Sequence, residues 1–188
     1  MLTLRLIFNF LWDMLPYMAI SLPIFALVRW LMLRQNKRSA NLYHELGMLL
    51  FVALQAGLAS QAVLPKLALD AGGLHVVETY RVSGINLIPG IVFVDSYQQA
   101  MRHHNLIYFF INIIGNMAVF MPLGFFLPLL WRKSRKTVLI TAFLCSLAIE
   151  LCQLPQARGT DIDDIWLNTL GAFIGYTVWR LLDKKLPT

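Results

Sequence analysis

The sequence predicts an all-α integral membrane protein, organised as one domain around a bundle of five transmembrane helices. Hydrophobic residues make up 58% of the 188 residues and charged residues only 14%, whereas about 25% charged residues is usual in soluble domains. The mean hydropathy of +0.63 points the same way. Several apolar runs also approach the roughly 20 residues that a spanning helix needs. This composition excludes a soluble globular domain.

Five apolar runs define the predicted helices, and one long gap separates the second run from the third. The runs cover approximately residues 11–33, 45–64, 106–130, 137–154 and 161–182. The gap, residues 65–105, predicts one longer extracytoplasmic loop. Its apolar residues from Ile85 to Val94 predict a segment that lies in the membrane interface or dips into it. The stretch VVETYRV, residues 76–82, is typical of a short strand.

The distribution of Lys and Arg predicts the orientation of the bundle. Cytoplasmic loops are enriched in these residues, and an N-out, C-in bundle places eleven of the 16 cations in cytoplasmic segments. The eleven are Arg29, Arg34, Lys37, Arg38, Arg132, Lys133, Arg135, Lys136, Arg180, Lys184 and Lys185. The net charge of +6 is therefore a topology signal, and no nucleic-acid partner is predicted.

Polar residues concentrate around the junction between the fourth and fifth helices. Glu150 and Gln153 are three residues apart and share a face of the fourth helix. At the start of the fifth helix, Asp161, Asp164 and Asn168 follow steps of three and four residues, which keeps them on one face. Ionisable groups at or below a membrane surface are costly and are functional candidates by default.

The same face of the fifth helix continues into the membrane with small residues. Gly171 and Gly175 form a small-xxx-small pair, GAFIG, that lets another helix approach closely. On the third helix, Asn112 and Asn116 are four residues apart, and Arg158 lies in the loop between the fourth and fifth helices. In the predicted orientation, three helices bring their polar groups together at the outer leaflet.

A structural role is the alternative explanation for some of these residues. Thr160 can cap the fifth helix, with Asp163 three residues later in an arrangement close to a capping box. Acids in a first turn also match the positive end of the helix dipole, and asparagines join helices by hydrogen bonds worth about 1 kcal/mol each. Capping does not explain Glu150 or Asn168, which favour a shared polar site.

Four sequence blocks resemble the VanZ-like family. They are NLIP at 86–89, NIIGNMAVFMPLGF at 112–125, SLAIELCQ at 146–153 and R-x-x-D-x-x-D-x-x-x-N-x-x-G-x-x-x-G at 158–175. The resemblance covers about residues 86–182 and adds Asn86 to the candidate binding residues. It implies a multi-pass protein of the bacterial cell membrane. The founding member of the family is associated with resistance to the glycopeptide teicoplanin.

Binding or shielding is the first of two functions that remain open. The partner would be a membrane lipid, a lipid-linked cell-wall precursor or a lipophilic glycopeptide. Arg158 offers a fork for phosphate or carboxylate, and the asparagines supply neutral donors. A divalent cation at the acidic cluster is one way to hold a phosphate there. No other cofactor is predicted, and no metal ligand set is expected, since the adjacent His103 and His104 diverge in a helix or strand.

Catalysis is the second function. A membrane-embedded enzyme would modify the headgroup of a cell-envelope lipid, with Glu150 and Asp164 as acid and base. The sequence has no HExxH or GxSxG motif, so binding or shielding is favoured. Transport would need polar residues through the full membrane depth, and the inner halves of the third to fifth helices are almost wholly apolar.

The orientation can be tested with topology reporters. A reporter fused after Lys185 should read cytoplasmic and one inserted near Gly73 should read external, because of the uneven distribution of cations. Finding both reporters on the same side would contradict the five-span arrangement.

Overall fold

The structure is a computed structural model that describes residues 2–36, 41–63, 66–70, 73–77, 85–102, 104–154 and 160–184. These segments hold six helices and four short strands. The chain forms two compact units, Met1–Thr79 and Tyr80–Thr188. The prediction of an all-helical membrane protein is confirmed in outline, because four of the helices are long and apolar enough to cross a membrane.

The first unit is a pair of helices followed by a strand hairpin. Helix α1 (Leu2–Asn36) packs against α2 (Leu42–Ala62). Strand β1 (Lys66–Asp70) then pairs with β2 (Gly73–Val77) in antiparallel fashion. The strand predicted over residues 76–82 overlaps only the end of β2, and its remaining residues lie outside the described part of the chain.

An ion pair fixes one end of this helix pair. The Arg29 guanidinium donates to both carboxylate oxygens of Glu45, at 2.8 and 2.7 Å. This bidentate geometry is the strong form of an Arg–carboxylate contact. The side chain of Asn41 caps α2 by accepting hydrogen bonds from the N–H groups of Tyr43 and His44. The cap explains why α2 begins three residues before the predicted start at residue 45.

The second unit contains the remaining elements and all of the contacts discussed below. They are β3 (Ile85–Asn86), α3 (Ile91–Arg102), α4 (Ile107–Trp131), α5 (Arg135–Gln153), β4 (Thr160–Asp161) and α6 (Ile162–Asp183). Strands β3 and β4 pair in parallel. Their pairing joins the segment before α3 to the start of α6.

Contacts at both ends show that α4 and α6 run in the same direction. Asn116 of α4 donates a hydrogen bond to Asp164 in the first turn of α6. Arg132, directly after α4, pairs with Asp183 at the end of α6 at 2.9 Å. Helix α5 carries the chain from the end of α4 back to the start of α6. The starts of α4 and α6 and the end of α5 therefore lie together, which we call the polar end.

Several predicted boundaries need correction. Helix α1 begins at Leu2 rather than near residue 11. The predicted loop over residues 65–105 contains the β1–β2 hairpin and the 12-residue helix α3, whose first residues were interpreted as an interfacial segment over 85–94. Helix α6 is capped by Asp161, one residue after the predicted cap Thr160. The other helices begin and end within three residues of the predicted positions.

The helices that suit a membrane span by length and composition are α1, α2, α4 and α5. The suitable segments are Phe8–Gln35, Leu42–Gln61, Ile113–Trp131 and Arg135–Gln153. Helix α6 has 22 residues but is not among them. Its first turns carry Asp163, Asp164 and Asn168, and these polar residues lower its mean hydropathy.

Glycine residues bring the backbones of α4 and α6 into direct contact. A Cβ atom on Gly171 would overlap the backbone carbonyl of Met117, and one on Gly175 would overlap that of Met121. From the other helix, a Cβ atom on Gly124 would overlap the carbonyl of Ala172. The predicted small-residue seam therefore fixes the register of α6 on α4.

This seam predicts that a single methyl group destabilises the protein. Gly171→Ala or Gly175→Ala should lower the melting temperature in detergent, because overpacking of this kind costs about 1–3 kcal/mol. Gly115→Ala is the matched control on α4, since nothing lies within 4 Å of its missing Cβ atom. Equal melting temperatures for Gly115→Ala and Gly171→Ala would contradict the seam.

Candidate functional site

The start of α6 is held by a chain of hydrogen bonds through Asp161. Its side chain accepts from its own helix, at the N–H of Asp163 (2.9 Å), and from the side chain of Asn86 (3.0 Å). Its backbone N–H donates to Oε2 of Glu150 at 3.0 Å. Asp161 and Asn86, both predicted to bind a ligand, are thus engaged in joining β3, β4, α5 and α6.

Asp163 caps a different helix from the one that carries it. Its fully buried carboxylate accepts hydrogen bonds from the backbone N–H groups of Gly90 (2.7 Å) and Val92 (3.0 Å) at the start of α3. It also accepts one from the indole Nε1 of Trp166 at 2.7 Å. Helix N-termini present free N–H groups and a positive dipole. Asp163 therefore clamps α3 and the turn before it onto α6.

Among the described acids at the polar end, Glu150 and Asp164 accept the fewest hydrogen bonds. Glu150 is only 3% exposed and accepts the backbone N–H of Asp161. Asp164 is half-buried and accepts a hydrogen bond from Asn116. Among the described residues, neither carboxyl group forms a salt bridge with a Lys or Arg. Buried carboxylates without such compensation are costly.

Asn168 lies one turn deeper, as its spacing from Asp164 predicted. Its side-chain amide donates to the hydroxyl of Ser146 on α5 at 2.9 Å, and both side chains are buried. The Ser146 hydroxyl lies 3.5 Å from the backbone carbonyl of Asp164, its acceptor on α6. This pair joins α5 to α6 below the carboxyl groups.

Aromatic side chains pack between α3 and the starts of α4 and α6. The rings of Phe93 and Trp166 stack with centroids 5.6 Å apart, and Phe93 also contacts Phe109 of α4 at 6.5 Å. Tyr97 meets Phe109 edge to face. These contacts join α3 to both α4 and α6, in addition to the Asp163 clamp.

The structure describes the remaining predicted site residues only in part. Asn112 lies on α4, one turn before Asn116, and its side chain falls outside the described part. Gln153 is the last residue of α5 and is half-buried. Arg158 lies outside the described residues. His104 follows α3 with a φ of 49°, and His103 is not described. In the described segments, no group of three or more His, Cys, Asp or Glu residues is arranged to hold a metal ion.

Comparison with protein families matches residues 63–183 to the family described as VanZ/LLP1. The chain belongs to the VanZ/LLP1 family. This confirms the resemblance drawn from the four sequence blocks. The match begins directly after α2 and includes every element of the polar end. No curated protein and no solved structure matches the chain.

Two contacts at the polar end of this VanZ/LLP1 chain were not predicted from the sequence. Asp163 was interpreted as part of a capping box for its own helix, whereas it caps α3, more than 60 residues earlier in the chain. Ser146 was not singled out, although it lies four residues before Glu150 and so shares its helix face. That spacing was the available signal. The partner of Asp163 could not be found from local spacing, because it lies on a helix far away in the chain.

The clamp predicts a local effect of removing the Asp163 carboxylate. Asp163→Ala should speed amide hydrogen exchange in residues 86–102, because each buried donor left unpaired costs about 1–3 kcal/mol. Exchange within α5 should change much less. Asp183→Ala is the control, since this exposed acid lies at the other end of α6. Unchanged exchange over residues 86–102 in Asp163→Ala would contradict the clamp.

Proposed function

We propose that this VanZ/LLP1 protein binds the headgroup of a cell-envelope lipid or lipid-linked precursor at its polar end. In this proposal the protein spans the bacterial membrane five times, with its N-terminus outside, and the polar end faces the outer leaflet. Binding there would shield the headgroup from other molecules. Protection against a lipophilic glycopeptide such as teicoplanin is the cellular effect that would follow.

The fifth span in this proposal is α6. Its 22 residues correspond to about 33 Å of helix at 1.5 Å per residue, which matches the hydrocarbon thickness. It runs parallel to α4 along the glycine seam, and α4 contains a candidate span. A helix that packs beside a candidate span, with contacts from Asp164 to Asp183, is supported as a span itself. Its polar first turns then lie at the membrane surface.

The proposal rests on one observation, namely that the acids at the polar end accept different numbers of hydrogen bonds from the protein. Asp161 and Asp163 are occupied by protein donors that hold α3, β3 and α6 in place. Glu150 and Asp164 each accept one hydrogen bond from the described residues. A carboxylate has about four lone-pair sites. These two groups therefore retain acceptor capacity for a ligand.

The chemistry of the retained acceptors favours a ligand that brings donors. Hydroxyl or ammonium groups of a lipid headgroup would donate to Glu150 and Asp164. The phosphate of the same lipid would pair with Arg158, whose guanidinium suits a bidentate contact. The sequence predicts Asn112 and Gln153 as further amide-bearing residues of this site. A divalent cation between the acids and a phosphate is the second way to satisfy the carboxylates.

Catalysis on the same headgroup is the alternative. Its support is that two carboxyl groups with spare acceptor capacity lie at the start of α6, one carried by α6 and the other bonded to the backbone N–H of Asp161. One would take a proton from an attacking hydroxyl or water and the other would give a proton to the leaving group. Lipid that changes mass during incubation with purified protein would favour this alternative, and unchanged lipid would favour binding.

Lipid retention tests the binding proposal. Native mass spectrometry of gently extracted wild-type protein should show bound lipid, and Glu150→Gln or Asp164→Asn should retain about tenfold to a hundredfold less, because a charge-assisted hydrogen bond contributes about 1.5–3 kcal/mol. Asp183→Asn is the control, since it removes an exposed acid from the same helix. Loss of lipid on extraction with EDTA would assign the headgroup contact to a bridging cation.

Glycopeptide protection tests the cellular effect. Protection per molecule of membrane-inserted protein should fall in Glu150→Gln and Asp164→Asn at normal protein abundance. Wild-type lipid retention and wild-type protection in both variants would contradict the proposed site.

A further inference from the structure

Helix α3 presents three different faces along its 12 residues. One face packs on the unit: Phe93 contacts Trp166 and Phe109, and Ser96 and Ala100 are buried. The second face is apolar yet exposed. The third face is polar and exposed. Because steps of three and four residues stay on one helix face, each face can be assigned from the sequence and checked against burial.

The exposed apolar face consists of Val94, Tyr97 and Met101, which are 52%, 53% and 42% exposed. Their spacing of three and four residues makes them a continuous row, which we call the apolar stripe. The polar face carries Asp95, Gln98, Gln99 and Arg102, all exposed. The boundary between apolar and polar surface therefore runs along the axis of α3. An amphipathic helix lying flat at a membrane surface has this arrangement.

Exposed apolar side chains also occur on the segments that precede and follow α3. Leu87 and Ile88, in the turn before α3, are 67% and 64% exposed. Ile107, Phe110 and Ile114 are exposed on the first turns of α4. The last of these belongs to the segment of α4 that suits a membrane span. Exposed apolar side chains therefore occur both on the stripe and on the part of α4 that suits a membrane span.

Contacts at both ends of α3 hold the stripe in a fixed direction. At its start, Asp163 binds the N–H groups of Gly90 and Val92. At its end, the N–H of Asn105 donates to the carbonyl of Ala100 at 2.9 Å, and the Asn105 side chain caps α4 through the N–H of Ile107. The protein itself thus sets the rotation of α3 about its axis, so the stripe does not depend on lipid for its orientation.

We infer that the apolar stripe seats α3 in the headgroup region of the leaflet beside the polar end, with a lipid surface as its partner. The stripe lies in the acyl boundary and the polar face remains in water. Tyr97 suits this depth because its ring is apolar and its hydroxyl polar. The charged face directly beside the stripe argues for a water–lipid boundary rather than for contact with a second copy. The inference does not depend on the identity of the ligand proposed above.

Site-specific fluorescent labels test this placement. Single cysteines for labelling with an environment-sensitive dye would replace Val94 and Met101 on the stripe, and Asp95 and Gln99 on the polar face. The full chain would carry alanine at its two native cysteines, Cys145 and Cys152. Each variant would be reconstituted into phosphatidylcholine–phosphatidylglycerol nanodiscs. Unchanged circular dichroism and melting temperature would select the variants that fold.

The two faces should then give opposite results. Labels on the stripe should show a blue-shifted emission and a loss of intensity with brominated lipid. Labels on the polar face should lose intensity with iodide in water. Equal iodide quenching at all four positions would overturn the inference. Protection of the stripe from both quenchers, with energy transfer between copies that rises with protein density, would assign the stripe to a protein contact and would also overturn it.

Discussion

The backbone contact between α4 and α6 is the constraint on which the second unit depends. Gly171 and Gly175 place α6 against the carbonyl groups of α4 with no intervening side chain. This contact fixes the register of the two parallel helices. As a consequence, Asp164 lies opposite Asn116 at one end and Asp183 opposite Arg132 at the other. A shift of one turn would separate both pairs.

The register also places the neighbouring acids Asp163 and Asp164 in different surroundings. Asp163 points toward the start of α3, where backbone N–H groups and an indole satisfy its charge. Asp164, the next residue along α6, points toward α4, where the described residues offer it one donor, Asn116. Adjacent helix residues are about 100° apart around the axis, which follows from 3.6 residues per turn. Two neighbouring carboxylates therefore serve the fold and the proposed site separately.

Most of the helical framework could be predicted from the sequence because apolar periodicity and length are local signals. The shared face of Asp164, Asn168, Gly171 and Gly175 came from spacing alone, and the structure brings that face against α4 and α5. Helix α3 was not predicted, although its residues follow a helical period, because its apolar start was interpreted as part of an interfacial segment over residues 85–94. The clamp by Asp163 depends on a partner far away in the chain, which spacing does not reveal.

The stability of a charge-neutral variant tests most directly whether Glu150 and Asp164 serve a ligand or the fold. The double variant Glu150→Gln, Asp164→Asn keeps an acceptor for both observed hydrogen bonds but removes one buried and one half-buried carboxylate. If these charges exist for a ligand, the variant in lipid-free detergent should melt at or above the wild-type temperature, and added lipid should stabilise it less. A clearly lower melting temperature, with wild-type stabilisation by lipid, would contradict a ligand site and assign both acids to the fold.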